Sequence, residues 1–200
     1  PDHTADLMHK MGKELARMRV LLVDQHASAR NSMRIILNNL GISGVHNAGS
    51  SAEVLRQVKA YSFDIIFSDY QLEDGRDGQQ LLEELRQKHL ISLSTVFMVI
   101  TAERAYHNVV SLAELAPDDY LIKPFTADQL HARLVRAIYK KQFFAKVFGH
   151  LDNGAFADAL VACELLIGKD AAFLYDTLRF KGEILNTLGR FQEAQTVYQQ

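Results

Sequence analysis

Between residues 19 and 140 the chain alternates between two hydrophobic rhythms. Runs at 19–24, 63–69, 95–101 and 120–122 are apolar with little polar interruption, and a weaker run lies at 45–48. Runs this short, bounded by turn residues, predict strands buried on both faces. The intervening stretches place apolar residues at helical spacing. Met33, Ile36, Leu37 and Leu40 form one stripe that stops at Gly41. Val54, Leu55 and Val58 form the next, and Leu81, Leu82 and Leu85 a third. Val109, Val110, Leu112, Ala113 and Leu115 precede a stop at Pro117, and Leu130, Leu134 and Ile138 complete the series. Ser50 with Glu53 and Thr126 with Gln129 have the spacing of capping boxes, so helices are expected to start there. Five strands alternating with five helices predict an α/β fold around a parallel sheet.

The flanks read differently. Residues 1–18 carry Leu7, Met8, Met11, Leu15 and Met18 on one helical stripe, with Gly12 as a weak point. An amphipathic helix packed on its own domain, or on a second copy, is expected. Residues 141–200 contain an echo: Gly154 and Gly189, Phe156 and Phe191, and Ala159 and Ala194 are each 35 apart. Gly182 and Tyr198 extend the pattern. A period near ~34 with glycine, aromatic and alanine in this order resembles the tetratricopeptide repeat, in which small residues let paired helices approach. A plain helical hairpin serving as a dimerisation arm is the alternative. The chain stops inside a repeat helix at Gln200, and fewer than three repeats rarely stand alone, so a piece of a longer protein is expected. No turn signal appears from Thr126 to Gly149, so the last helix of the α/β unit is expected to run unbroken into the first repeat helix.

Composition narrows the function. With 48% apolar residues in 200, the chain can bury a core. A net charge of -2 without a basic stripe argues against a nucleic-acid surface. A single cysteine, Cys163, excludes an internal disulfide and suits a reducing, cytoplasmic setting. No apolar run approaches a membrane span, and no secretory pattern opens the chain.

The chemistry is expected at the carboxyl ends of the strands, where open parallel sheets place their sites. Asp24, Asp69 and Thr101 end three strands, and Lys123 follows the last. Neighbouring carboxylates repel unless a cation sits between them, and hard oxygen donors suit Mg²⁺. An ammonium can pair with an added anion and a hydroxyl can donate to it. This equipment suits transfer of a phosphoryl group to a carboxylate.

Val23-Asp24, Ser68-Asp69, Ile100-Thr101-Ala102 and Tyr120-Leu121-Ile122-Lys123-Pro124-Phe125 together resemble the receiver domain of two-component response regulators over about 120 residues. The resemblance implies a doubly wound, flavodoxin-like five-stranded sheet in the order 2-1-3-4-5. It also implies roles for single residues. Asp69 matches the phospho-acceptor, Lys123 the lysine on the phosphoryl group, Thr101 the switch hydroxyl and Tyr120 the aromatic that reports its movement. Asp24 and the backbone carbonyl of Gln71 match the Mg²⁺ ligands, and the bond to Pro124 is often cis in the family. At two places the chain departs from the pattern. Gln25 stands where the family carries a second acid that ligates the metal; its amide oxygen can still coordinate Mg²⁺ but brings no charge, so weaker metal binding is expected. Glu73 and Asp74 stand where a proline is common, and Asp77-Gly78 comes one residue late; either acid is a candidate replacement for the missing charge.

The expected architecture is thus an N-terminal helix (1–18), a receiver (19–140) and helical repeats (141–200). The expected function is a response regulator, not an enzyme. A histidine kinase or phosphotransfer protein would supply the phosphoryl group, and the repeats would bind a downstream protein; homodimerisation stays open. A receiver-like adaptor that has lost efficient phosphorylation is the second reading, favoured by Gln25. An aspartyl phosphatase is a distant third, because Gln71 stands where such enzymes place a second acid. The first reading requires Asp69 and Lys123 to share one cavity.

Overall fold

The computed structural model describes the backbone of residues 3–102 and 115–199. Five parallel strands form one sheet in the order β2-β1-β3-β4-β5: β1 Arg19–Val23, β2 Gly44–Ala48, β3 Ile65–Asp69, β4 Val96–Thr101 and β5 Asp119–Ile122. Each expected strand is present within two residues of its apolar run. The central strands are buried along nearly their whole length, as their unbroken Val, Ile and Phe content requires.

Helices α1 (His3–Leu15), α2 (Ala27–Asn39) and α5 (Ala127–Phe143) lie over one face, where Met11, Leu15, Met33, Leu37, Leu130 and Leu134 pack on Leu22, Phe67 and Met98. Helices α3 (Ser51–Ala60) and α4 (Gly78–Gln87) cover the other, where Val54, Leu81 and Leu85 meet Leu21, Ile66 and Phe97. The sheet is thus covered on both faces. Residues 103–114, which hold most of the helix expected before Pro117, lie outside the described residues.

The helix starts follow local chemistry. Thr126 and Gln129 form the expected capping box on α5. At α3 the Ser50 hydroxyl accepts from Glu53 N–H at 3.3 Å, but the Glu53 carboxylate reaches past Ser50 to the Gly49 N–H at 2.6 Å. A capping box not anticipated from the sequence opens α4, where Asp77 accepts from Gln80 N–H at 2.8 Å and Gln80 accepts from Asp77 N–H at 3.0 Å.

The C-terminal stretch continues as α6 (Ala145–Asp152), α7 (Phe156–Glu164), a short 3-10 turn at Ala171–Phe173, α8 (Leu174–Thr187) and α9 (Phe191–Val197). Their apolar faces build a third core around Phe144, Phe148, Leu160, Phe180, Ile184 and Val197. The unbroken helix expected up to Gly149 is interrupted at Phe144, where φ -92° and ψ 8° leave the helical range. Phe144 is fully buried against Phe148 and Phe180, and this packing takes the chain out of the line of α5. Gly149 sits inside α6, and the turn falls at Gly154, which adopts φ +69°. A Cβ on Gly182 of α8 would lie 2.4 Å from the Tyr198 ring, so the close approach of α8 to the chain end depends on that glycine.

Candidate functional site

Asp69 closes β3 at the centre of the sheet, with its main chain opposite Ile100 of β4. Lys123 follows β5, and its N–H donates to the Thr101 carbonyl at 2.8 Å, which ties the two strand ends together. The Lys123–Pro124 peptide is cis. The Lys123 ammonium lies 3.6 Å from Asp69 Oδ1, with the lysine side chain 41% exposed and the aspartate 17%. The two groups therefore share one cavity, as the receiver reading requires.

Asp24 follows β1 and is buried. Its Oδ1 accepts the His26 N–H at 2.8 Å, and its carbonyl accepts from the Arg30 guanidinium. Burial holds the Asp69 carboxyl above its ordinary proton affinity. Lys123 pulls it back down, the Asp24 charge pushes it up again, and the Tyr70 backbone lowers it. Two carboxylates near enough to repel, with one ammonium beside Asp69, make a site that gains from added positive charge.

A cleft of about 400 Å³ opens beside these groups. Asp24, Arg30, Asp69 and Lys123 give it a polar side, while Met33, Phe67, Pro124 and Phe125 are among the apolar residues that line the rest. Arg30 has no signal in the sequence: one helical arginine after a strand end says nothing until the cleft gathers it.

Thr101 is the last residue of β4, buried, and paired with Ile122. Tyr120 is half-buried on the α4 side of the sheet, and its hydroxyl donates to Gln79 Oε1 at 3.3 Å. Burial raises its phenol above the usual range, and Tyr70 and Asp77 push the same way. Gln79 is itself buried and donates to the Leu115 carbonyl at 2.8 Å, so it bridges α4, Tyr120 and the approach to β5. This bridge has no sequence signal, because it joins three distant segments.

The oxygen donors suit Mg²⁺ in kind. Asp24 and Asp69 supply charge, and among the described residues no backbone N–H donates to the Gln71 carbonyl. Gln71 opposes Asp77 in an antiparallel bridge whose bonds run through the flanking residues, Gly78 N–H to Tyr70 O at 2.7 Å and Leu72 N–H to Arg76 O at 2.9 Å. A divalent ion of this kind completes its shell with water and phosphoryl oxygens. Gln25 is exposed, and neither it nor Gln71, Glu73, Asp74 or Thr101 is among the residues that line the cleft. Asp74 accepts from the Arg76 N–H of its own turn at 3.3 Å.

The family comparison decides the identity: the response regulator receiver domain matches residues 20–135. The chain belongs to this receiver family. Chemotaxis protein CheY-3 of Vibrio cholerae is 29% identical over 117 residues, covering 58% of this chain and 88% of that protein. A CheY-like receiver from Methanospirillum hungatei superposes with a TM-score of 0.54 at 22% identity, over 62% of this chain and 96% of that one. A Thermotoga maritima response regulator, TrrA, solved in complex with Mg²⁺ and BeF, superposes at 0.50 with 23% identity, over 60% and 98%. Likeness at these identities speaks for the fold. The receiver match ends within α5, and α6–α9 lie beyond it.

Proposed function

We propose that the chain is a signalling protein, not an enzyme, in which Asp69 accepts a phosphoryl group from a histidine kinase or phosphotransfer protein and the helical unit passes the state on by binding a downstream protein. The observation that carries this reading is the Lys123 ammonium 3.6 Å from the Asp69 carboxylate at the strand ends, inside a cleft that also holds Asp24.

In the transfer, Asp69 Oδ attacks phosphorus. The new O–P bond forms as the N–P bond of the donor's phosphoimidazole breaks, and the imidazole nitrogen keeps the electron pair. Lys123 neutralises charge on the phosphoryl oxygens. Asp24, Asp69, the Gln71 carbonyl and the Gln25 amide would hold Mg²⁺, which would supply further charge neutralisation when bound. Thr101 would then donate its hydroxyl to the phosphoryl group, and Tyr120 would change its seat on Gln79 as β4 and β5 adjust.

The division into an N-terminal helix (1–18), receiver (19–140) and tetratricopeptide-like repeats (141–200) belongs to the same reading. The left-handed Gly154 and Gly189, 35 residues apart, and the Gly182–Tyr198 contact support the repeats. A buried free Cys163 fits the cytoplasm, and no helix of the described residues is long and apolar enough to cross a membrane.

The second reading, a receiver-like adaptor with impaired phosphorylation, is favoured by Gln25, whose amide brings no charge where the family carries an acid. Incubation with Mg²⁺ and a small-molecule phosphodonor separates the two. Label on Asp69 that disappears in Asp69→Asn supports the regulator; absence of label in the wild-type chain supports the adaptor.

A further inference from the structure

The helical unit is seated on the end of the sheet opposite the acid cleft, through a polar contact that is largely buried. Lys141, in the last turn of α5, donates to the Leu93 carbonyl at 2.6 Å and pairs with Asp118 at 3.0 Å. Its side chain is 12% exposed and that of Asp118 14%. The same ammonium lies 4.8 Å from the centre of the Phe148 ring of α6. The second Asp118 oxygen accepts the Phe97 N–H at 2.7 Å, and the Asp118 N–H donates to the Phe97 carbonyl at 2.8 Å. From α6, Asp152 accepts from Ser92 Oγ at 2.6 Å and from the Leu93 N–H at 3.1 Å. The segments leading into β4 and β5 are therefore both held by side chains from the end of α5 and from α6.

These two strands end, on the far side, at Thr101 and next to Lys123. Strand β5 is four residues long and laddered to β4 from Asp119 to Ile122. The ladder thus gives a four-residue path between the cleft end of β5 and Asp118. A buried ion pair registers a shift along that path sharply, because losing the pair leaves desolvated charge uncompensated.

We propose that the Asp118–Lys141 pair and the Asp152 grip on Ser92–Leu93 form a latch through which the helical unit reads the phosphoryl state of Asp69. The receiver's output surface is then the amino-terminal ends of β4 and β5, and its first partner is the chain's own α6. The latch rests on the acceptor reading of Asp69. Coupling of this kind is reciprocal, so a ligand that binds the helical unit better in one state changes the affinity of Asp69 for beryllofluoride by the same factor.

The test is hydrogen exchange of the full chain with and without Mg²⁺ and beryllofluoride, with occupancy of Asp69 followed by fluorine NMR. In wild type, amides of residues 144–164 change exchange rate about fivefold or more on binding. In the Asp118→Asn/Lys141→Met double variant, which removes both charges together, beryllofluoride still binds and the response of 144–164 is lost. The milder Asp152→Ala variant reduces the response and keeps the proposal testable should the double variant fail to fold. Bound beryllofluoride with unchanged exchange in wild type, or an undiminished response in the variants, overturns the latch alone. Absence of a bound fluoride signal overturns the acceptor reading and the latch with it.

Discussion

Removing the Lys123 ammonium tests how much the Asp69 pair contributes. At the observed 3.6 Å, two unit charges attract by about 1 kcal/mol in water-like surroundings and about 5 kcal/mol at an effective dielectric near 20. Lys123 is 41% exposed and Asp69 17%, so solvent screens the pair and the lower part of that range applies. A coupling of about 1–2 kcal/mol is therefore expected. The assay is a double-mutant cycle of Asp69→Asn, Lys123→Met and the double variant, by urea unfolding at neutral pH and low salt. Lys123→Met alone destabilises, because it leaves Asp69 facing Asp24 with no ammonium. In the Asp69→Asn background the same change costs little. Salt of about 0.5 M reduces the coupling, since exposed charges are screened over a few ångströms. A coupling within about 0.5 kcal/mol of zero, the ordinary scatter of independent sites, would refute the pairing.

Asp69→Asn raises stability at neutral pH. The folded carboxyl has a raised pKa, so its favourable contribution is present below the unfolded value of 3.8 and is lost as pH rises through the folded value; the gain of the Asn variant over wild type should vanish in acid. Gly182→Ala costs about 1–3 kcal/mol, because its Cβ meets the Tyr198 ring; Tyr198→Ala in the same chain should recover part of the loss, and an unaltered urea midpoint in Gly182→Ala counts against the packing. Gln25→Asp tightens Mg²⁺ binding by about tenfold, read by calorimetry; unchanged affinity means that position 25 stands outside the metal shell. The Cys163 thiol, pushed up to about 12 chiefly by burial, reacts with thiol reagents only on unfolding; fast labelling of the folded chain contradicts its place in the core.

The strands and most helices were legible because their signals are local. An apolar run such as 95–101 has one comfortable place, inside a covered sheet, and Thr126 with Gln129 states a helix start in four residues. The acid cleft was legible for a related reason: parallel strands deliver their last residues to one edge, so Asp24, Asp69 and Lys123 converge once the topology is known. What escaped reading is non-local. Gln79 between Tyr120 and Leu115, Arg30 in the cleft, and Lys141 with Asp118 join segments far apart in the chain, and no periodicity announces them. The break at Phe144 escaped because nothing in its own sequence stops a helix; its burial against Phe148 and Phe180 does. The Asp77–Gln80 capping box, by contrast, has the spacing in plain view.

The central claim is that the Asp69 carboxylate takes up phosphorus beside Lys123. Peptide mapping by mass spectrometry, after exposure of the full chain to Mg²⁺ and a small-molecule phosphodonor, tests it most directly. The account predicts a single phosphoryl group on Asp69, absent from Asp69→Asn and reduced in Lys123→Met. An unmodified Asp69, or label that persists in Asp69→Asn, would contradict it.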